Sequence, residues 1–172
     1  MKYMGSKRAM LSNGLGELLH ETVSMGRHFH DLFCGTAAVA SYVASNFPVR
    51  VCATDLQSYA VTLAASQLEK DVPVDADKLY DAWQQSATTW LQGRIVVTET
   101  QCPASDSVRA WRSFVLRTRA SCAEASQEFE ITRAYGGYYF SEKQARSLDA
   151  FRVSLPDKHR YTALAALISA AS

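Results

Sequence analysis

Two carboxylates and one glycine carry the chemistry most readable in this chain. Asp31 lies in a short apolar run from His30 to Cys34, which reads as a buried strand, and the chain turns just after it at Gly35. From Thr36 a helix rich in Ala and Val follows. Gly35 lets the backbone approach a ligand closely, Thr36 and Ala37 keep the entrance open, and the free N–H groups of the first helical turn point into the same space. A second apolar run, Arg50 to Thr54, ends at Asp55. Asp55 follows Gly35 by about twenty residues, the distance at which a doubly wound unit sets a carboxylate on the vicinal hydroxyls of a ribose. No G-x-G-x-x-G is present, because Ala37 stands where a second glycine would fall. A ligand with a ribose and no phosphates therefore fits better than a dinucleotide. An ordinary βαβ unit with a tight turn accounts for the same residues.

The elements that must position these groups follow from periodicity. Ala9 to Val23 reads as an amphipathic helix with Met10, Leu11, Leu15, Leu18 and Leu19 on one side, weakened by Gly14 and Gly16. Thr36 to Asn46 and Gln57 to Lys70 are the helices after the two strands. Asp75 is placed to cap a helix running to Leu91, on which Trp83 and Trp90 share a face. That face reads as packing, with a base-stacking platform as the alternative. Arg94 to Thr98 is a β-branched run, a third strand or an edge strand.

Ser107 to Ala123 is predicted helical and carries Arg109, Arg112, Arg117 and Arg119 with no acid among them. Such a stripe suits phosphate contacts, or it is a solvated face paired with Glu124, Glu128 and Glu130. Tyr135 to Phe140 sets two glycines among aromatics, including Tyr138, which suits clasping a base or a partner, or packing on the core. Ser141 caps a helix to Arg152. A last helix, from about Asp157 to Ala171, is apolar nearly all round and must be buried, so something has to cover it.

Composition bounds the rest. The 172 residues are 48% hydrophobic and 20% charged, which is globular, and the net charge of +1 leaves any nucleic-acid contact to a local patch. No apolar run reaches a membrane span and no secretory h-region opens the chain. Cys34, Cys52, Cys102 and Cys122 form no C-x-x-C pair and read as reduced packing residues of a cytoplasmic protein. His28 and His30 lack a partner pair, so no metal site is expected.

Lys2-Tyr-Met-Gly-Ser-Lys-Arg8 resembles the opening motif of the Dam-like adenine-N6 DNA methyltransferases, the D12 class. Asp31-Leu-Phe-Cys-Gly-Thr-Ala37 resembles that family's S-adenosylmethionine loop, Ala53-Thr-Asp-Leu-Gln57 its Ala-Asp-x-Asn step, and Tyr135-Gly-Gly-Tyr-Tyr-Phe140 a Gly-Gly-x-Tyr-Phe segment found in many members. The resemblance implies an α/β, Rossmann-like S-adenosylmethionine-dependent methyltransferase fold, incomplete in this chain, with a helical DNA-facing insertion. It implies cofactor contacts from Tyr3, Met4, Gly5, Ser6, Lys7, Asp31, Phe33, Cys34, Gly35, Thr36, Ala37, Asp55 and Leu56, with Lys7 also near the target base. It implies DNA contacts from Arg109, Arg112, Arg117, Arg119 and Tyr138. Residues 1–100 would form the cofactor part, 101–156 the DNA- or partner-facing region, and 157–172 a helix packed on a partner chain.

Methylation of adenine N6 needs a flipped base held by stacking, and acceptors for its amino hydrogens. The resembled family uses an Asp-Pro-Pro-Tyr loop for this. Here Pro48, Pro73, Pro103 and Pro156 are all isolated, so no catalytic residue of that kind is expected. The expected protein is a subunit of a split, restriction–modification type DNA methyltransferase, active as a heterodimer whose second chain brings the loop. A plain truncation of a longer protein explains the same observations, and the alternative function is a non-catalytic regulatory or DNA-docking subunit.

Overall fold

The computed structural model describes residues 7–68, 73–94, 102–104 and 106–171. Two compact units divide the chain. The first holds Met1–Val74 together with Asp157–Ser172, and the second holds Asp75–Pro156. The boundary between these units falls at Asp75. The helix capped by Asp75 buries its apolar face in the second unit.

In the first unit, α1 (Lys7–Met10) passes through a kinked stretch, Leu11–Leu15, into α2 (Gly16–Val23). The continuous helix expected over this span is interrupted at Asn13 and Gly14, where φ reaches +89° at the glycine. Strand β1 is His28–Asp31 and β2 is Arg50–Ala53, with α3 (Ala38–Asn46) between them and α4 (Ser58–Leu68) after them. The strands pair in parallel, from His28 opposite Arg50 to Asp31 opposite Ala53. Strand β1 therefore starts and ends earlier than the run His30 to Cys34 implied. Beyond Asp31 the chain bends into the turn, and Cys34 is buried in that turn instead of in a strand. The expected strand over 94–98 lies almost wholly outside the described residues.

Helix α3 explains why this unit holds together. Its Val39 and Val43 join Leu19 and Val23 of α2 and Phe47 in one apolar cluster, with Phe29 and Val51 of the strands against it. Its Ala40, with Ala37 just before it, joins Cys34 and Ala64 in a second cluster against Val51 and Ala53. The final helix, α9 (Arg160–Ala170), packs on α4 of the same unit and buries Ala163 completely. Helix α4 covers part of it, while Leu164, Leu167 and Ile168 stay half-buried. Ala60, Ala64 and Ala65 of α4 are small enough for an Ala-rich helix to approach closely, and all three are buried.

The second unit is helical: α5 (Ala76–Gln92), α6 (Val108–Ala123), α7 (Glu130–Tyr135) and α8 (Glu142–Val153). Asp75 caps α5 through a bond from the Lys78 N–H, and Ser141 and Gln144 form a reciprocal capping box on α8. Trp83 is buried, meets Phe151 edge-on at 4.9 Å, and donates from Nε1 to its carbonyl. Trp90 lies 5.0 Å from Phe129. The shared tryptophan face is core packing and not a stacking platform.

Asp149, fully buried on α8, joins the first turn of α7 to α8. It accepts from Ile131 N at 2.9 Å and from both Thr132 N and Thr132 Oγ1 at 2.8 Å. Removing it leaves three donors unpaired in the interior, and charge-assisted bonds of this kind are the strong ones. Asp149→Ala is expected to cost about 3 kcal/mol. All three tryptophans, Trp83, Trp90 and Trp111, lie in this unit, so urea denaturation followed by tryptophan fluorescence reports it directly. A loss below about 1 kcal/mol would refute this role for Asp149.

Candidate functional site

The sequence-derived site residues assemble at the ends of β1 and β2. Past the last paired residues the two chains stay linked. Thr54 N donates to Asp31 O at 2.8 Å, and Cys34 N donates to Thr54 O at 3.0 Å. Gly35 then adopts φ +52°, a left-handed conformation that favours glycine, and a side chain there would meet nothing within 4 Å. The turn faces open space.

Asp55 reaches across to this turn. Its Oδ2 accepts from Gly35 N at 3.0 Å and its Oδ1 from Gln57 N at 2.9 Å. The Gln57 N–H, and after it the Gly35 N–H, stabilise the anion and hold the carboxyl below its usual range. Each oxygen retains lone-pair capacity for a further donor. Asp31 is buried, with Oδ1 3.4 Å from Lys7 Nζ, while Oδ2 has no partner among the described residues. Lys7 Nζ also donates to Phe33 O at 2.6 Å, so the lysine straps the turn from its N-terminal side.

Ala37 takes φ +59°, the conformation a second glycine would supply. This costs an alanine about 1–2 kcal/mol, offset in part by a methyl group fully buried among Cys34, Ala40 and Ala64. The Cys34 thiol is pushed up, first by burial and then by the charges of Asp55 and Asp31, so it stays protonated at neutral pH and is a packing residue. Phe33 and Leu56 are largely exposed beside the turn, as are Leu32 and Thr36. Tyr3, Met4, Gly5 and Ser6 lie outside the described residues. Thr54 and Gln57, whose backbone groups bind the turn, are the site residues that sequence reasoning passed over. Main-chain donors leave no mark on residue type.

In the second unit, Arg109, Arg112 and Arg117 are exposed on α6 and make no ion pair among the described residues. Two of the three glutamates that might have neutralised them are engaged elsewhere, and Glu124 is exposed with no ion pair among the described residues. Glu128 pairs with Arg94 at 2.7 Å and Glu130 with Arg152 at 3.4 Å. Arg119 differs from its neighbours. It is half-buried, donates from Nε to Gly137 O at 3.0 Å, and stacks 4.1 Å from the centre of the Tyr138 ring. Tyr138 and Tyr139 are about two-thirds exposed. Among the described residues no helix is long and apolar enough to cross a membrane, and no three His, Cys, Asp or Glu side chains cluster as metal ligands.

A turn between parallel strand ends is braced by one acid and flanked by another, and a separate unit carries a basic helix whose outer arginines make no ion pair among the described residues; the protein is mixed helix and sheet. The model of the D12 class N6 adenine-specific DNA methyltransferases matches residues 3–101, more than half of the chain, and the chain belongs to this family. No curated protein and no solved structure matches it.

The brace has a pH signature. Because the Asp55 carboxyl is depressed in the folded state, its stabilising contribution is full above its ordinary value of about 3.9 and is lost as pH falls through the folded value. Asp55→Asn sets an amide against two N–H donors. It is expected to melt below wild type at neutral pH, with the gap narrowing once the pH drops under about 4. Thermal melting by circular dichroism across that range is the measurement, and a gap independent of pH would remove the carboxylate from this role.

Proposed function

We propose that the first unit binds S-adenosylmethionine at the Gly35 turn, and that the chain is the cofactor-holding subunit of a site-specific adenine-N6 DNA methyltransferase. The observation that carries this reading is the convergence of Asp31, Gly35 and Asp55 at the ends of two parallel strands, with open space before the glycine. Family membership supports the chemistry. The residues present fit the cofactor. Asp55 keeps acceptor capacity for ribose hydroxyls, and the unpartnered, buried Oδ2 of Asp31 suits a cationic group such as the ammonium of the methionine part. Lys7 has further donors for the carboxylate of that part. Phe33 and Leu56 offer apolar surface to the adenine. When bound, S-adenosylmethionine supplies an electrophilic methyl group.

The chain's own residues bind and orient that cofactor, and the acceptors for the target amino group come from elsewhere. With every proline isolated, this sequence holds no Asp-Pro-Pro-Tyr loop. The arrangement we favour is a heterodimer of restriction–modification type in which a second chain brings the loop and further strands. The exposed rim of Leu32, Phe33 and Leu56, and a sheet of only two parallel strands among the described residues, are surfaces such a chain would cover. Arg109, Arg112, Arg117 and Tyr138 form the DNA-facing side of the second unit.

Calorimetric titration of S-adenosylmethionine is the test, on this chain alone and with the candidate second chain. Binding is expected to weaken about tenfold or more in Asp55→Ala, as for a lost charge-assisted hydrogen bond. Methyl transfer to adenine in duplex DNA is expected only from the mixture. Full activity of this chain alone would overturn the heterodimer. Absence of cofactor binding in either case would favour a regulatory or DNA-docking subunit.

A further inference from the structure

The turn after α7 is built around Arg119. Gly136 is wedged so tightly that a Cβ there would come within 2.5 Å of Thr132 O and 2.6 Å of Cys122 Sγ. Gly137, at φ +72°, sits on Arg119 itself, where a Cβ would lie 3.0 Å from the arginine Cγ. The turn is closed by Gly137 N donating to Phe140 O at 2.8 Å and Tyr139 N to Tyr135 O at 3.0 Å. Arg119 thus spends its Nε donor on the turn and one face of its guanidinium on Tyr138. A side chain committed in this way is a poor mobile phosphate contact, unlike Arg109, Arg112 and Arg117.

The turn presents its rings outward. Tyr135, Tyr138 and Tyr139 are 54%, 68% and 69% exposed. Three tyrosines held on a rigid turn make stacking area at low entropic cost, since little freedom remains to be lost on contact. The groove beside Arg119 is lined by Trp111, Arg112 and Leu116, with Asp106 its one acid. Aromatic faces beside unneutralised arginines match a nucleic-acid strand, whose bases stack and whose phosphates are anionic.

We infer that Arg119 is a positioning residue: it fixes Tyr138 as a platform on which an unstacked base of a DNA strand stacks. This rests on the DNA reading above and assigns Arg119 a role other than phosphate binding. Arg119 stacks on the ring while Tyr138 stays 68% exposed, which leaves ring surface for the base.

The test uses the full chain with DNA oligonucleotides carrying 2-aminopurine, single-stranded and duplex. Wild type is expected to quench the single-stranded probe more strongly. Tyr138→Phe keeps the quenching. Tyr138→Ala, which leaves the Arg119–Gly137 bond in place, loses it and binds about tenfold more weakly. Arg119→Lys keeps the charge but not the planar stack or the Nε bond. It is expected to lose the quenching while the slope of log affinity against log salt stays unchanged. Retained quenching in Arg119→Lys, or a salt slope reduced by about one in Arg119→Ala with quenching intact, would make Arg119 a phosphate contact and overturn the inference. Wild-type binding without quenching would overturn the stacking and leave the DNA reading standing. Binding of neither oligonucleotide would overturn both, and the separate cofactor titration would still report on the first unit.

Discussion

The first unit depends on one carboxylate. Asp55 stands just past the end of β2, yet its oxygens hold Gly35 in the loop after β1 and Gln57 at the approach to α4. The main-chain bonds through Thr54 run beside it. That bridge reinforces a short ladder, because only four residue pairs join β1 to β2. The positive φ at Gly35 and Ala37 also needs support from outside the local chain. The same carboxylate that braces the turn is the one whose remaining lone pairs suit a ribose. On the proposed reading, bracing the turn and binding the cofactor are one electrostatic arrangement, since an anion fixed by two N–H groups is already oriented for a third donor.

The second unit separates its charges by the same economy of donors. Buried Asp149 takes the N–H groups at the start of α7, and Glu142 pairs with Arg146 in a half-buried contact at 2.9 Å. Glu128 and Glu130 serve Arg94 and Arg152. Helix α6 contains no acid of its own, so its outer arginines stay uncompensated. The basic face results as much from where the acids are spent as from where the arginines stand. A chain of net charge +1 can present a local cationic surface in this way.

Several features were legible in residue type and order. Strand, glycine turn, helix and a second acid-terminated strand are read from Asp31, Gly35 and Asp55, and the family's order of motifs is read from the same residues. Asp75 and Ser141 announce their helices because a short polar side chain before an amphipathic run has few other uses. The limits of β1 were misplaced, because an apolar run marks burial and not hydrogen bonding. Leu32 and Phe33 extend the run yet lie exposed past the strand end. The neighbour of the last helix within its own unit is hidden for a related reason. The Ala-rich face of that helix demands a neighbour, but the small residues of α4 that accept it look unremarkable in sequence.

What the sequence by itself determined is the set of local commitments: a tight turn where only glycine is comfortable, caps where donors are open, and an arginine helix with no acids. What only the tertiary structure decided is which of those groups are spent on one another. Arg119 and Arg112 are equivalent residues seven apart on one helix, yet one is locked against Gly137 and Tyr138 while the other is exposed. Glu128 and Glu130 follow α6 directly in the chain but pair with arginines elsewhere. Pairing depends on distances between elements far apart in the chain, and those distances are fixed by packing, which no single segment encodes.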